Sequence, residues 1–202
     1  MIKNFRDIKK HEMRIRILNK AEEIFARKGY SKTRFAEIAK SLDMSVADLN
    51  TYFTDKKDLF YECALRAIAT TIEVAKKIVH NNSLTPLEKV RLFIKEHVKV
   101  LIKKHMYVTL EQHDYLASLY SKNKIGPIIK ARDEFQKMFM SILQEGIKDG
   151  SFRKIDIKIV GFTMLGAVNW VSTWYSTEGS LSPEVIGNIQ ADYLIRGLLH
   201  TN

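Results

Sequence analysis

Residues 38–53 read IAKSLDMSVADLNTYF, and the spacing within this stretch decides the fold. Ala39 and Asp43 lie four residues apart, and Leu49 follows six residues later. A small residue at the first position lets two helices cross closely, and aspartate is among the few residues besides glycine that tolerate a left-handed backbone. The angle between the two helices is then filled by Leu49, Leu42, Met44 and Phe53. The stretch therefore predicts a helix-turn-helix unit.

The second helix of this unit has a well-marked start. Ser45 is followed three residues later by Asp48, and together they form a capping box in which each side chain bonds the backbone of the other residue. At about 100° per residue, Leu49 and Phe53 define the buried side of the helix. The side chains that remain to contact a partner are those of Ala47, Asp48, Asn50, Thr51 and Tyr52.

The second helix of a helix-turn-helix enters the major groove of DNA, although this one carries no lysine or arginine. Asn50 has the paired donor and acceptor that suit adenine, and Thr51 can bond a base edge or touch a thymine methyl group. Two interpretations of Asp48 stay open, because its carboxylate either accepts a hydrogen bond from a cytosine amino group or only caps its own helix. For Asn50 the alternative is a solvated or locally bonded side chain.

Helical spacing continues through nearly the whole chain, which contains only three prolines and nine glycines. We therefore predict an all-α fold. Gly29 is expected to end the first helix and Thr33 to cap the second. Gly126 and Pro127 are expected to open the long helix that Gly150 closes. The predicted helices cover residues 10–28, 34–41, 56–80, 86–104, 107–121, 127–148, 157–177 and 183–200, besides the helix that Ser45 opens.

The chain is basic, with 33 Lys and Arg against 23 Asp and Glu and a net charge of +10. Half of this charge lies in residues 1–20, where seven basic residues face two acidic ones. Such an excess favours a polyanion partner. We predict that Lys9, Lys10 and Arg14 contact DNA from a segment that lies along the duplex or folds on it as an arm. A charged, disordered terminus is the alternative, and an anionic membrane is the poorer interpretation because the segment has few apolar side chains.

Several classes of protein are excluded by what the sequence lacks. A single cysteine, Cys63, excludes a disulfide within the chain and a multi-cysteine zinc site. No stretch approaches the ~18 apolar residues of a membrane span, and the N-terminus lacks the apolar core of a secretory signal. The protein is therefore expected to be cytoplasmic, with no membrane partner. Without a glycine-rich phosphate loop, a G-x-S-x-G or an H-E-x-x-H motif, we predict no enzyme, no cofactor and no metal site.

Five short motifs follow one another in the first third of the chain. They are ILNKAEEIF at 17–25, GYSKT at 29–33, IAKSLDMS at 38–45, LNTYF at 49–53 and KKDL at 56–59. Together they resemble the N-terminal domain of the tetracycline-repressor (TetR) family of transcription regulators. The chain departs from the family pattern where Asp43 replaces the usual turn glycine, where Asp48 lies in a usually neutral part of the helix, and where Asn50 replaces the usual tyrosine. The resemblance implies contacts to the DNA backbone from Thr33, Tyr52 and Lys56, with Lys32 and Arg34 well placed beside Thr33.

The resemblance also implies a division of labour along the chain. Residues 1–60 are expected to form a three-helix DNA-binding head with a basic N-terminal arm, and residues 61–202 a helical domain for effector binding and dimerisation. The expected function is that of a ligand-responsive regulator, a repressor that binds a near-palindromic operator as a dimer and leaves it on binding an effector. The alternative is a helical ligand-binding or scaffold protein that retains the fold without specific operator binding.

The expected effector is small and hydrophobic or amphipathic, because the second domain is rich in apolar and aromatic residues. Residues 169–186, NWVSTWYSTEGSLSPEVI, resemble the C-terminal region of family members that respond to fatty-acyl-CoA. Asn169 is a polar group inside an apolar helix, and it needs a partner if buried. Each candidate pocket residue fits a plain core as well; the candidates are Phe93, His97, Tyr115, Phe135, Met138, Phe139, Met164, Asn169, Trp170 and Trp174.

The predicted helix over residues 157–177 is apolar nearly all round, which a helix on a solvent-exposed surface would not be. The last helix adds a second apolar surface. Two such helices from each of two chains predict a four-helix homodimer interface, and a large monomeric core is the alternative. The predicted interface residues are Phe162, Val171, Ile186, Ile189, Tyr193 and Leu194.

Overall fold

The computed structural model of the chain describes residues 5–103, 120, 122–176 and 178–200. Within these ranges the chain forms helices and no strand, which confirms the all-α prediction. None of the helices in the described ranges is long and apolar enough to cross a membrane. The helices are α1 (Phe5–Lys32), α2 (Phe35–Lys40), α3 (Val46–Asn50), α4 (Lys56–Val79), α5 (Pro86–Lys103), α6 (Lys122–Lys148), α7 (Ile157–Asn169), α8 (Val171–Trp174) and α9 (Pro183–Arg196).

The chain divides into two compact units, Met1–Ala67 and Ile68–Asn202, and the boundary falls inside α4. The first unit contains α1, α2, α3 and the start of α4. Its core is made of apolar side chains that repeat at helical spacing on α1 and meet those of the short helices. The largest of these buried side chains are Ile17, Phe25, Ile38, Leu49, Phe53, Leu59 and Phe60.

Gly29 interrupts α1 with a φ of 75°, a left-handed backbone that favours glycine, as the sequence predicts. The prediction that Thr33 caps the second helix is wrong. Arg34 holds the N-cap position of α2, without a side-chain hydrogen bond. Thr33 instead turns its buried hydroxyl back to donate to the carbonyl of Gly29 at 2.7 Å, because that carbonyl lies where α1 breaks.

In the second unit, α5 packs against α6, α7, α8 and α9. Helix α9 approaches α5 closely at Gly187, where a Cβ atom would lie 3.2 Å from the Cα of Lys95. Lys89 of α5 is buried, and its ammonium lies 2.9 Å from each carboxylate oxygen of Glu145 on α6. Two features therefore position α5. On one face Gly187 has no side chain to hold α9 away, and on another face Lys89 pairs with Glu145.

Several predicted helix boundaries are wrong. The helix α6 begins at Lys122 rather than at Pro127, which lies inside the helix in its second turn. The predicted helix over 157–177 is two helices, since α7 ends at Asn169 and α8 ends at Trp174. The last helix, α9, ends at Arg196 rather than at residue 200. The predicted helix over 107–121 lies outside the described residues except for Tyr120, which is in a bend.

The predicted start and stop signals hold at the other helix ends. Thr85 and Glu88 form a capping box at the start of α5, with the Thr85 backbone N–H 2.8 Å from the Glu88 carboxylate. Asp156 caps α7, and Ser182 caps α9 just ahead of a proline in its first turn. Gly150 follows α6 with a φ of 81°. These local signals fix where the helices begin, and the tertiary contacts decide where several of them end.

Candidate functional site

The capping box at the start of α3 forms as the sequence predicts. The backbone N–H of Asp48 donates to the Ser45 hydroxyl oxygen at 3.0 Å, and the Asp48 Oδ2 accepts from the Ser45 hydroxyl at 2.6 Å and its backbone N–H at 3.2 Å. The bond from the Ser45 hydroxyl, followed by that from its backbone, lowers the pKa of the Asp48 carboxyl. Asp48 therefore caps its own helix, while its Oδ1 has no hydrogen-bond partner in the described parts of the chain.

The turn before α3 relies on a strained backbone. Asp43 has a φ of 56°, a region that few residues other than glycine adopt. The backbone N–H of Met44 returns to the carbonyl of Ala39 at 3.0 Å and closes the turn. Leu42 is buried as predicted, whereas Met44 is only half-buried, so Leu49 and Phe53 fill most of the angle between the helices.

One face of α3 is open to solvent. Ala47, Asp48 and Asn50 are exposed, and Leu49 on the opposite side is fully buried. The Thr51 hydroxyl donates to the Asp48 carbonyl at 2.7 Å, so its proton is used within the helix and its oxygen remains an acceptor. This leaves Asn50 as the side chain on the exposed face with both a donor and an acceptor available for a base edge.

Arg14 braces the end of α3 rather than extending as a free arm. Its guanidinium donates to the Tyr52 carbonyl at 2.9 Å, lies 4.3 Å from the centre of the Phe53 ring and pairs with Glu62 at 3.3 Å. Tyr52 itself is half-buried. These contacts help a helix of only five residues to keep its orientation. Arg14 of α1 binds the residues that follow α3, and Glu62 of α4 pairs with Arg14.

The segment in which Lys9 and Lys10 lie is helical, since α1 begins at Phe5. Both lysines are exposed, and the Lys9 ammonium lies 4.5 Å from the centre of the Phe5 ring. The expectation of an arm that folds only on DNA does not fit this helix. The basic segment from Phe5 onward is instead part of α1.

Lys56 has a structural task that the sequence does not reveal. Its ammonium donates to the carbonyls of Tyr30 at 3.0 Å and Thr33 at 2.9 Å, and lies 4.1 Å from the centre of the Tyr30 ring. Burial lowers the pKa of the Lys56 ammonium. Two of its three N–H donors are used within the protein, which leaves one for a phosphate. The buried hydroxyl of Thr33 is likewise committed to Gly29.

Lys32 and Arg34 flank the start of α2 with exposed side chains. Neither has a hydrogen bond or ion pair to another side chain among the described residues. Lys28, one turn before, is bonded to Glu37. Lys32 and Arg34 therefore have their full hydrogen-bonding capacity available for a phosphate.

A cavity lies inside the second unit between α4, α5 and α6. It is lined by Thr71, Val74, Ala75, Ile78, Phe93, Glu96, His97, Val100 and Phe135. Phe93, His97 and Phe135 are predicted pocket residues, whereas the α4 residues are not. Thr71, Val74, Ala75 and Ile78 repeat at i, i+3, i+4 and i+7, and this helical spacing is the signal that predicts one shared face.

His97 is the buried polar residue of this cavity. Its Nε2 lies 2.8 Å from the Asn169 side-chain oxygen, and its ring lies 4.6 Å from the Phe135 ring, centre to centre. Burial lowers the pKa of His97 to about 4, although the hydrogen bond to Asn169 acts in the opposite direction. Asn169 thus has the partner that its position in an apolar helix requires, and the ring is neutral at pH 7.

The other predicted pocket residues lie elsewhere. Phe139 and Met164 are buried in the core of the second unit, and Met138 is half-buried against it. Trp170 and Trp174 are 58 % and 49 % exposed, which corrects their assignment to a pocket. The break between α7 and α8 at Trp170 puts both rings on the surface. Tyr115 lies outside the described residues.

The predicted interface residues separate into two groups. Phe162, Ile189 and Tyr193 are exposed, and Leu194 is half-buried. Val171 and Ile186 are buried within the second unit, so their assignment to an interface with a second chain is wrong. The helical pattern predicts which helices are apolar, but only their packing shows which apolar face is already covered.

Comparison with known proteins assigns both units. The family model described as tetracyclin repressor-like, C-terminal domain, matches residues 83–198. The model described as bacterial regulatory proteins, tetR family, matches residues 17–63, which contain the helix-turn-helix. The two matches follow one another along the chain: the first includes α3, and the second includes His97 and the other cavity-lining residues of α5 and α6.

Individual relatives extend over most of the chain. It is similar to the fatty acid metabolism regulator protein of Bacillus subtilis, 23 % identical over 187 residues that cover 91 % of this chain and 94 % of the relative. It is 27 % identical over 192 residues to the HTH-type transcriptional repressor KstR2 of Mycolicibacterium smegmatis, covering 90 % of this chain and 88 % of the relative. Its fold is similar to that of AibR in complex with isovaleryl coenzyme A and operator DNA, with a TM-score of 0.75, 19 % identity and coverage of 92 % and 97 % of the two chains.

Proposed function

Because the chain belongs to the TetR family of bacterial regulatory proteins, we propose that it represses transcription by binding a near-palindromic operator as a homodimer and is released by a hydrophobic or amphipathic effector. The observation that carries this proposal is the exposed face of α3, held from both sides by Arg14 and the Ser45–Asp48 cap. Base contacts need a rigid element of this kind, since a loosely held helix would lose much of its hydrogen-bond energy to ordering.

Affinity and specificity come from different residues in this proposal. Asn50 and Thr51 read base edges, and Asp48 presents only its free Oδ1 to a base. Lys32, Arg34 and the remaining donor of Lys56 bind phosphates. Phosphate contacts set the register and carry the salt-dependent part of the affinity, while base contacts carry the specificity. The absence of cations from α3 is then no obstacle to DNA binding, because the cations lie beside this helix.

A homodimer is supported by the apolar side chains that α7 and α9 expose. Phe162, Ile189 and Tyr193 are exposed, and Tyr193 is 78 % exposed. Exposed aromatic and aliphatic side chains that are close together mark protein interfaces. Two copies related by a two-fold axis would cover them and present two α3 helices to two half-sites of a palindrome.

The effector is an acyl thioester or a compound of similar polarity. The cavity is lined mainly by apolar side chains, and named relatives act in fatty acid metabolism or bind isovaleryl coenzyme A. Its volume of about 10 Å³ has room for about one water molecule, so an acyl chain enters only if α4, α5 or α6 moves. An effector shifts a conformational equilibrium only if it binds one conformation more tightly than the other. The movement that opens the cavity provides two such conformations.

Selection of random duplex DNA with the purified full-length protein tests the DNA-binding part of the proposal. We expect an enriched near-palindrome, bound with an affinity that falls as salt rises. An unenriched pool would overturn operator binding and favour a ligand-binding or scaffold role. Fluorescence anisotropy of the enriched duplex, titrated with acyl-CoA esters of two to sixteen carbons, tests the effector. Release by none of them would overturn the effector class while leaving the DNA-binding part intact.

A further inference from the structure

The cavity contains a polar atom that the apolar lining does not satisfy. Nδ1 of His97 is buried and has no hydrogen-bond partner among the described residues. The residue as a whole is 8 % exposed. Buried polar atoms are nearly always paired in folded proteins, so an unpaired one at the wall of a cavity indicates what the cavity contains when it is occupied.

Asn169 determines which kind of partner Nδ1 needs. The Asn169 Oδ1 can only accept a hydrogen bond, so the ring proton of neutral His97 resides on Nε2, 2.8 Å away. Nδ1 is then a bare acceptor. Asn169 is held in turn, since its backbone carbonyl accepts a hydrogen bond from the Ser172 hydroxyl at 2.7 Å. The ring also contacts Phe135, whose plane is tilted by 44° from that of His97.

Nε2 is used by Asn169, so Nδ1 is the ring nitrogen of His97 that remains for the contents of the cavity. His97 lines the cavity, whereas Asn169, on the Nε2 side, is not part of the described lining. The lining also contains the polar side chains of Thr71 and Glu96, but Nδ1 makes no hydrogen bond to either of them, and Phe93 and Phe135 offer no donor. A single water molecule would satisfy Nδ1, and an unsubstituted alkyl chain that displaced this water would leave the atom unpaired.

We propose that the effector carries a hydrogen-bond donor, a hydroxyl group on its acyl chain, that binds Nδ1 of His97, and that His97 selects this compound over the plain acyl chain. The inference rests on the proposed function of the cavity as an effector site and specifies the chemical class within it. A site that hydrogen-bonds a ligand hydroxyl discriminates strongly against the analogue that lacks it, because the protein atom is then left without a partner.

The test is isothermal titration of the full-length protein with decanoyl-CoA and with its 3-, 6- and 10-hydroxy derivatives. We expect at least one hydroxylated ester to bind at least tenfold more tightly than decanoyl-CoA. His97→Leu should remove this ratio, because leucine has no acceptor, without weakening decanoyl-CoA. His97→Gln should retain part of the ratio through its amide oxygen. Phe93→Leu is the matched control, since it alters the apolar wall and should change all affinities alike.

A second measurement on the wild-type protein does not depend on whether the variants fold. The ¹⁵N resonance of Nδ1 in labelled protein should stay in the range of a hydrogen-bonded ring nitrogen with the hydroxylated ester and move to that of an unpaired nitrogen with decanoyl-CoA. Equal affinities for all four esters, unchanged in His97→Leu, would overturn the selection by His97 while leaving an acyl effector in place. Binding of none of the four would overturn this inference, whereas the acyl effector of the proposed function is overturned only if the series of two to sixteen carbons also fails.

Discussion

Lowering the pH from 7 to 5 should destabilise the second unit through His97, since the ring is buried without a second hydrogen-bond partner. The folded protein holds the pKa of His97 at about 4, against 6.5 for an unperturbed histidine. The unfolded chain therefore binds the proton first as the pH falls. The stability that the neutral ring contributes is complete above pH 6.5 and is lost as the pH falls from 6.5 to about 4.

The size of the effect follows from the two pKa values. The unfolded state binds about 0.2 of a proton more than the folded state at pH 7, and about 0.9 more at pH 5. Integrating this difference over the two pH units gives a loss of about 2 kcal/mol in the free energy of unfolding. A loss of that size is a large fraction of the stability of an ordinary domain.

Urea unfolding followed by tryptophan fluorescence measures this loss, because both tryptophans, Trp170 and Trp174, belong to the second unit. Wild-type protein and His97→Gln are compared at pH 7 and pH 5, so that the contributions of the carboxylates cancel. We expect the wild type to lose about 2 kcal/mol more than His97→Gln between the two pH values. The control is His80→Gln, which removes an exposed histidine and should behave as the wild type.

Equal losses in wild type and His97→Gln would refute the reasoning. A direct check is the titration of the His97 ring by NMR. Its resonances should stay unchanged from pH 8 to pH 5.5, and a midpoint near 6.5 would show that the ring is protonated in the folded state without the cost of burial.

Three further outcomes are expected. Gly146→Ala should cost about 1–3 kcal/mol of unfolding free energy, because the new Cβ would lie 2.1 Å from the Phe152 ring. Gly166→Ala should be neutral or slightly stabilising, because nothing lies within 4 Å of its new Cβ. Equal effects of the two substitutions on thermal unfolding would contradict this. Ser45→Ala should destabilise the head by about 1 kcal/mol, which urea unfolding measures. Asn50→Ala should leave the stability of the head unchanged and relax base preference at one position by about 1–3 kcal/mol, which selection on duplex libraries measures. Arg34→Ala should weaken binding to all sequences alike and reduce the slope of log affinity against log salt by about 1; a changed base preference with an unchanged slope would show that it reads a base.

The sequence predicts the head well because its signals are local. Ser45 and Asp48 are three residues apart and bond one another without help from the rest of the chain. Asp43 adopts the left-handed backbone that its place in the turn requires. Gly29 and Gly150 interrupt or follow helices with positive φ values for the same reason. Each of these features depends on the conformation of a few neighbouring residues, and the order of residues is sufficient to specify it.

The roles of the cations are less predictable from the sequence. Arg14 and Lys56 belong to a basic pattern that favours phosphate contacts, yet their donors bind carbonyls of residues 38 and 26 positions away. A carbonyl left open at the end of a helix attracts the nearest donor in space, whatever its distance in sequence. A sequence shows how many cationic side chains a segment has. It does not show which backbone carbonyls those side chains bind, because only the packing brings the two together.

By itself, the sequence determined that this protein is helical, that it carries a helix-turn-helix, and which α3 residues lie opposite the buried Leu49. These properties follow from periodicity and caps, which act over one or two helical turns. The tertiary structure decided which apolar faces remain exposed and that Trp170 and Trp174 lie on the surface rather than in the pocket. It also brought His97 into contact with Asn169, 72 residues away along the chain. The physical reason is that burial and hydrogen-bond pairing depend on distance in space, which one helix cannot encode alone.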